Sequence, residues 1–256
     1  MDSYMFIEER LEKILQLVQQ KEKITVKEAN EYLEVSADTV RRDFARLSQK
    51  GLVLRTHGGI MARESVSFDP GMNAKIIKHQ REKENIAKLA ATLVQDSEII
   101  VVDSGTTPEK IVKHVADLKD LTVLTGALNI AVESTKRNIN TIILGGIIRN
   151  STLGITGPDA VEMIRHYHAD KLFLGVSALS ISKGLMTPNR MEAEIKKELI
   201  KIANEVIVVA DSSKIDSTAL YSFGSMADIS VLITDRNADK RFVDKLEEMN
   251  IRVLIE

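Results

Sequence analysis

The sequence predicts an α/β protein in two parts, an N-terminal winged helix-turn-helix followed by a doubly wound, mostly parallel α/β domain. Three observations carry that prediction. Apolar residues recur at helical spacing through the N-terminal region, which then passes into a short β-rich run and a Gly-Gly pair. From Glu98 onward, short apolar runs alternate with amphipathic segments, the pattern of strands joined by crossover helices. A chain of 256 residues, 44% hydrophobic and with only four prolines, has room for one large core and one small one.

The elements of the head follow in order. Ile7, Leu11, Ile14, Leu15 and Val18 form one stripe, so residues 5–20 are expected to be an amphipathic helix. "TVKE" at 25–28 is a capping box that opens a second helix, with Ala29, Tyr32 and Leu33 facing inward. Ser36 caps a third helix, Asp38 suits its first turn, and Gly51 stops it. "LVLRTHGG" followed by "IMA" reads as a small hairpin, the wing. At about 100° per residue, Val40, Phe44 and Leu47 share the inner face of the third helix. Arg42 points nearly opposite, and Arg41 and Arg46 flank it.

Charge is distributed to match. Residues 1–38 carry five basic and nine acidic side chains, whereas 39–63 carry Arg41, Arg42, Arg46, Lys50, Arg55 and Arg63 against the single acid Asp43. A net charge of −2 argues against a wholesale polyanion binder, so any nucleic-acid contact must come from this patch. An arginine pair alone is most often a solvated helix face. Its place in the third helix of a winged head, with a hydroxyl at the helix start, instead fits a major-groove reader. Arg55 and His57 at the wing tip are placed to reach the DNA backbone or minor groove.

The segment from Arg10 through "KITVKEANEYLEVSADTVRRDFARLSQKGLVLRTHGG" resembles the N-terminal domain of DeoR-type bacterial transcriptional repressors. Ser36 or Ala37, Thr39, Val40, Arg41, Arg42, Asp43 and Phe44 fit that family's signature. The resemblance implies that Thr39, Arg41 and Arg42 contact double-stranded operator DNA, and that Asp43 orients an arginine or the wing.

The head is expected to span residues 1–62, with a polar linker at 63–72 marked by Pro70-Gly71 and a second domain at 73–256. A helix is expected over 73–95, with Ile76, Ile77, Ile86, Leu89, Ala90 and Leu93 as its apolar side. "EIIVV", "LTVL", "NTIILGG", "KLFLGVSA", "EVIVVAD", "SVLITD" and "IRVLI" read as buried strands. "PEKIVKHVADL", "LNIAVESTK" and "RMEAEIKKELIKIA" read as helices between them.

Ligands bind such sheets beyond the carboxyl ends of the strands. There "VVDSGTTPEKIV" places Asp103, Ser104, Gly105, Thr106 and Thr107 between a strand and a helix that begins with Pro108. A small hydroxyl-rich turn offers backbone N–H groups and hydroxyls to a phosphate, although a tight turn with ordinary capping reads the same way. It is neither a Walker loop nor a dinucleotide fingerprint. Other strand ends supply Thr125 and Asn129, Gly145 and Gly146, Gly175, and two candidate cations, Lys214 and the weaker Lys183.

"DSGTT", "LNIA", "LGG", "GITGPDA", "DKLFLG", "EAEIKKELI" and "VVADSSKI" also resemble, in order, the DeoR effector domain, which is related to ribose-5-phosphate isomerase, glucosamine-6-phosphate deaminase and the coenzyme A transferases. The resemblance implies a sensor domain for a phosphorylated sugar, controlling a carbohydrate-utilisation operon. Gly126 stands where the family usually has Asn, and "GVSALS" replaces its commoner Gly-Ile form.

The alternative is a sugar-phosphate isomerase or deaminase, which needs a base near the sugar carbonyl. The turn Gly175–Leu179 holds no acid, leaving Asp211 and Glu194 as the possible bases. No cysteine is present, the five histidines show no ligand spacing, and no apolar run approaches a bilayer-spanning length. A cytoplasmic protein without metal or cofactor is therefore expected; one winged head offers few base contacts, so a homodimer on DNA is expected, and the family resemblance implies a homotetramer as the alternative.

Overall fold

The computed structural model describes residues 7–21, 23–49, 52–62, 75–76 and 78–256. The chain divides into two compact units, Met1–Ser65 and Val66–Glu256. The expected linker at 63–72, residues 73, 74 and 77 of the expected helix, and the stop at Gly51 all lie outside the described residues.

In the first unit α1 (Ile7–Lys21), α2 (Val26–Leu33) and α3 (Ala37–Gln49) pack around Ile14, Ile24, Ala29, Val40, Phe44, Leu47 and Ile60. The capping box at α2 is complete: the Thr25 hydroxyl accepts from the Glu28 N–H at 3.2 Å and the Glu28 carboxylate accepts from the Thr25 N–H at 2.8 Å. Glu34 ends α2 in the left-handed region, which turns the chain toward α3. The Ser36 hydroxyl accepts from the Thr39 N–H at 3.2 Å, capping α3 as expected.

Tyr32 departs from expectation. It is 57% exposed, and Ala29 and Leu33 alone of the three bury, because only two positions of so short a helix reach the core.

The wing has three strands. β2 (Val53–Thr56) and β3 (Gly59–Ala62) form the expected hairpin, and β1 (Lys23–Thr25) adds to its edge in the order β1-β3-β2. The turn falls at His57-Gly58, where Gly58 has φ +87°, rather than on the Gly-Gly pair. Gly59 belongs to β3, and a Cβ there would fall 2.1 Å from the Ile24 carbonyl oxygen.

In the second unit seven parallel strands run in the order β15-β14-β12-β9-β4-β5-β6. They are β4 (Ile99–Val102), β5 (Thr122–Thr125), β6 (Asn140–Ile143), β9 (Ala169–Gly175), β12 (Ala203–Val209), β14 (Val231–Thr234) and β15 (Arg252–Ile255), each overlapping a run expected to be a strand, with β9 and β12 beginning two residues earlier. Alternate residues enter two cores. Val101, Leu172, Leu174 and Val208 face α7 (Pro158–Ile164), α8 (Arg190–Ile202) and α9 (Lys240–Glu248), while Ile100, Val102, Phe173 and Ile207 face α4 (Gln80–Ala91), α5 (Pro108–Ile111) and α6 (Leu128–Lys136). The chain winds outward from β4 to β6, returns to β9 and winds out the other way. The topological switch point therefore lies between β4 and β9.

Two helices are shorter than expected. α4 begins at Gln80 after His79, which has φ +52°, and ends at Ala91, so Ile76 is exposed and Leu93 lies beyond the helix. α5 holds only four residues, followed by one 3-10 turn at Val112–His114. Two small antiparallel additions escape the sequence pattern: β7 (Ile147–Arg149) with β8 (Gly154–Thr156), and β10 (Ala178–Ser180), β11 (Gly184–Thr187) and β13 (Tyr221–Gly224).

Candidate functional site

The head presents α3 as built. Val40, Phe44 and Leu47 are at most 1% exposed, so burial fixes the helix rotation and turns Arg41 and Arg42 outward. Arg41 donates to Asp38 at 2.8 Å on the surface, and Arg55 of the wing donates to the Arg41 carbonyl at 3.3 Å. Ser36 and Thr39 sit at the helix start with their hydroxyls 2.9 Å apart, and His57 is exposed in the wing turn.

Asp43 points the other way. Buried at 1%, it accepts from Arg10 of α1 at 2.5 and 3.1 Å, and Arg46 approaches it at 3.9 Å. The carboxylate thus ties the reading helix to α1, and Arg46 leans toward it. Sequence reasoning did not identify Arg10, which lies 33 residues away.

In the second unit the Ser104–Thr107 turn follows β4 at the switch point. The backbone N–H groups of Ser104, Gly105, Thr106 and Thr107 make no hydrogen bond to a backbone carbonyl among the described residues, and the Thr107 hydroxyl makes no capping bond. Four successive backbone donors without an acceptor among the described residues thus lie beside the buried Thr106 and Thr107 side chains.

Several lysines of this unit lie near one another. Lys83 of α4 is only 4% exposed and donates to the Lys75 carbonyl at 2.5 Å. Burial pushes its ammonium down to about 8; Asp211 opposes that shift, while Lys214, Lys110 and Lys75 add to it. Lys110 is tied to Glu84 at 2.9 Å. Lys214 stands in the 3-10 turn after β12, so Lys83 and Lys214 are close enough to repel. Lys83 is the principal residue the sequence reading missed, since a lysine among the charges of "REKENIA" looks like any solvated helix position.

Asp103 forms the floor of the turn. It is 2% exposed, accepts from the Gly175 N–H at 3.0 Å and from the buried Lys196 ammonium, which also donates to the Gly175 carbonyl at 2.9 Å. Burial pushes the Asp103 carboxyl up, against the pull of Lys196 and of the Gly175 N–H. Gly175 belongs to this floor: a Cβ on it would lie 3.3 Å from Pro108 and 3.5 Å from Asp103.

Several candidates take other roles. Thr125 is fully buried, its hydroxyl donating to the Val102 carbonyl at 2.7 Å and accepting from the Ala127 N–H at 3.1 Å, so it braces the next turn instead of facing a ligand. Gly146 has φ +141° and lets the chain pass close to β8, where a Cβ would fall 2.7 Å from the Thr156 carbonyl oxygen. Gly145 beside it is exposed and donates to Met163. Lys183 is exposed in the β10–β11 turn, its carbonyl accepting from Ser222 at 2.9 Å. Asn129 stands in the first turn of α6, and its Oδ1 is buried without a partner among the described residues.

The two possible bases stand on different elements. Asp211 caps the 3-10 turn, accepting from the Ser213 N–H at 3.2 Å, and Glu194 lines a cavity of about 530 Å³ between α7 and α8 with Pro158, Val161, Glu162, Arg165 and Met191. Among the described residues no group of three or more acidic or histidine side chains could hold a metal, and no helix is long and apolar enough to cross a membrane.

The family model described as DeoR-like helix-turn-helix domain matches residues 10–66, and that described as DeoR C terminal sensor domain matches 78–236. The HTH-type transcriptional repressor GlcR of Bacillus subtilis (strain 168) is 32% identical over 252 residues, covering 98% of this chain and 97% of its own length. The HTH-type transcriptional regulator GolR of Listeria innocua is 33% identical over 252 residues, covering 98% and 99%. Ribose 5-phosphate isomerase A of Methanocaldococcus jannaschii aligns in structure with a TM-score of 0.41 and 18% identity, over 54% of this chain and 55% of that one. Matched by both family models in order and aligned end to end with named regulators, the chain belongs to the DeoR family of DNA-binding transcriptional regulators.

Proposed function

We propose that this regulator represses a carbohydrate-utilisation operon and that a phosphorylated sugar, bound at the strand ends of its second unit, controls its affinity for operator DNA. The observation that carries the reading is the run of four unspent backbone N–H groups at Ser104–Thr107. A phosphate supplies the acceptors those donors lack, and in this reading the Lys83 and Lys214 ammoniums, which lie near each other, supply opposite charge.

In this account Ser104, Gly105, Thr106 and Thr107 grip the phosphate, Lys83 and Lys214 neutralise it, and Asp103 with Lys196 holds the turn in place. Thr39, Arg41 and Arg42 contact the operator, with Ser36, Arg46, Arg55 and His57 at the phosphate backbone. The protein works in the cytoplasm as a homodimer or homotetramer, because one winged head offers few base contacts. An isomerase reading needs a carboxylate poised over the sugar; Asp211 instead caps the 3-10 turn after β12, and the relatives aligned along the whole chain are named regulators.

The test is calorimetric titration of the full chain with hexose and pentose phosphates, their unphosphorylated forms and inorganic phosphate. Binding of at least one sugar phosphate, with no heat from its free sugar, supports the reading. Equal binding of free sugar and sugar phosphate contradicts it.

A further inference from the structure

The loop between β7 and β8 approaches the Ser104 turn. Gly154, the first residue of β8, sits so close to that turn that a Cβ on it would lie 3.3 Å from the Ser104 hydroxyl oxygen and 3.4 Å from the Thr152 hydroxyl oxygen. The loop also closes on the start of α6: the Leu128 N–H donates to the Leu153 carbonyl at 3.0 Å, and the Ile155 N–H donates to the Gly126 carbonyl at 2.5 Å.

Glu192 in the first turn of α8 latches this loop. It is 7% exposed; one carboxylate oxygen accepts from Arg149 at 3.0 Å and Thr152 at 2.9 Å, and the other from Thr187 at 3.2 Å. One turn further along α8, Lys196 holds Asp103. A single helix therefore fixes both the phosphate turn and the wall beside it.

Two buried polar atoms on these segments lack a partner among the described residues, the Ser151 hydroxyl oxygen in the loop and the Asn129 amide oxygen at the start of α6. Buried polar atoms are rarely left unpaired unless something else supplies the bond. These two stand on the segments that meet at Leu128 and Leu153, next to a turn suited to a phosphate, and an alcohol satisfies either of them.

We infer that the Arg149–Leu153 loop, latched by Glu192, is the wall that reads the hydroxyls on the carbon chain of the effector, with Ser151 and Asn129 as the groups those hydroxyls satisfy. This rests on the effector reading above and adds the half of the site that discriminates among phosphorylated ligands. The phosphate turn binds any phosphate monoester; the wall selects a polyhydroxylated one. Glu192 is a positioning residue, acting through Arg149 and Thr152.

The test compares inorganic phosphate with the sugar phosphate that binds the unmodified chain most tightly, by titration calorimetry on the full chain. Ser151→Ala removes an atom with no protein partner, so the melting temperature is expected to stay unchanged. Asn129→Ala and Glu192→Gln provide second and third probes. The expected result is at least a tenfold loss of sugar-phosphate affinity in Ser151→Ala and Asn129→Ala, and a similar loss with flattened discrimination among sugar phosphates in Glu192→Gln, while inorganic phosphate changes less than twofold. Unchanged sugar-phosphate affinity in Ser151→Ala and Asn129→Ala overturns the wall, as does a parallel loss for inorganic phosphate. If the unmodified chain binds no phosphate compound at all, the effector reading has failed and the wall falls with it.

Discussion

The Lys196 ammonium, carried on α8, ion-pairs with the Asp103 carboxylate at the end of β4 and donates to the Gly175 carbonyl at the end of β9. It spans the switch point of the sheet and braces the Ser104–Thr107 turn through Asp103. Removing the cation would leave a carboxylate buried without its counter-charge. Lys196→Met is therefore expected to destabilise the second unit by about 3–5 kcal/mol, read from chemical denaturation. A loss below about 1 kcal/mol would mean the pair holds nothing.

Arg10 and Asp43 make the equivalent test in the head. Arg10→Met strands the Asp43 carboxylate in the core and should cost about 3–5 kcal/mol. Phe44→Ala should cost a similar amount by opening a cavity. Both are measured as the unfolding of the head followed by hydrogen exchange, with the second unit's amides as the internal control.

Arg41→Ala and Arg42→Ala should do the opposite. Both side chains are exposed, so the melting temperature is expected to stay within a degree or two while specific operator affinity falls. An arginine that contacts only DNA phosphate also lowers the salt dependence of binding by about one counterion, whereas one that reads a base lowers sequence discrimination. Unaltered operator affinity in the double variant would remove α3 from the DNA interface.

Much of this was legible in the sequence. The seven strands announced themselves because a parallel sheet covered on both faces requires unbroken apolar runs such as "EVIVV". The α3 wheel was legible because three apolar positions against three arginines leave one rotation. Lys83 was not legible: its burial depends on where α4 packs, which its neighbours in sequence do not encode. The same holds for the partnership of Glu192 with Arg149, 43 residues apart, and of Asp103 with Lys196, 93 apart. Thr125 shows the converse error, a hydroxyl in the right place along the chain whose rotamer turns it back into the sheet.

Lys83 gives the proposed effector site a pH signature. Its ammonium is lowered from 10.5 to about 8, chiefly by burial, so the unfolded chain holds this proton more tightly and stability rises as pH goes from about 8 to 10.5. A bound phosphate favours the ammonium, so binding above pH 8 takes up a proton and weakens as pH rises. The phosphate itself is already a dianion there, its second pKa being about 6. Titrations in buffers of different ionisation heat should show proton uptake near pH 8 that disappears in Lys83→Met. Affinity flat from pH 7 to 9 would place Lys83 away from the phosphate.

The central claim joins the two units through a ligand: a sugar phosphate at Ser104–Thr107 must bind the operator-competent and incompetent arrangements unequally, and the coupling must be reciprocal. The most direct measurement is operator affinity of the full chain titrated with phosphorylated hexoses and pentoses and with their free sugars, alongside the Thr106→Ala, Thr107→Ala double variant. The account predicts that a sugar phosphate weakens operator binding by about 5- to 150-fold, a coupling of 1–3 kcal/mol. It also predicts that the free sugar has no effect, and that the double variant binds operator normally but does not respond. Operator affinity indifferent to every phosphorylated sugar, or shifted equally by the unphosphorylated ones, would contradict it and leave the Ser104–Thr107 turn as a cap.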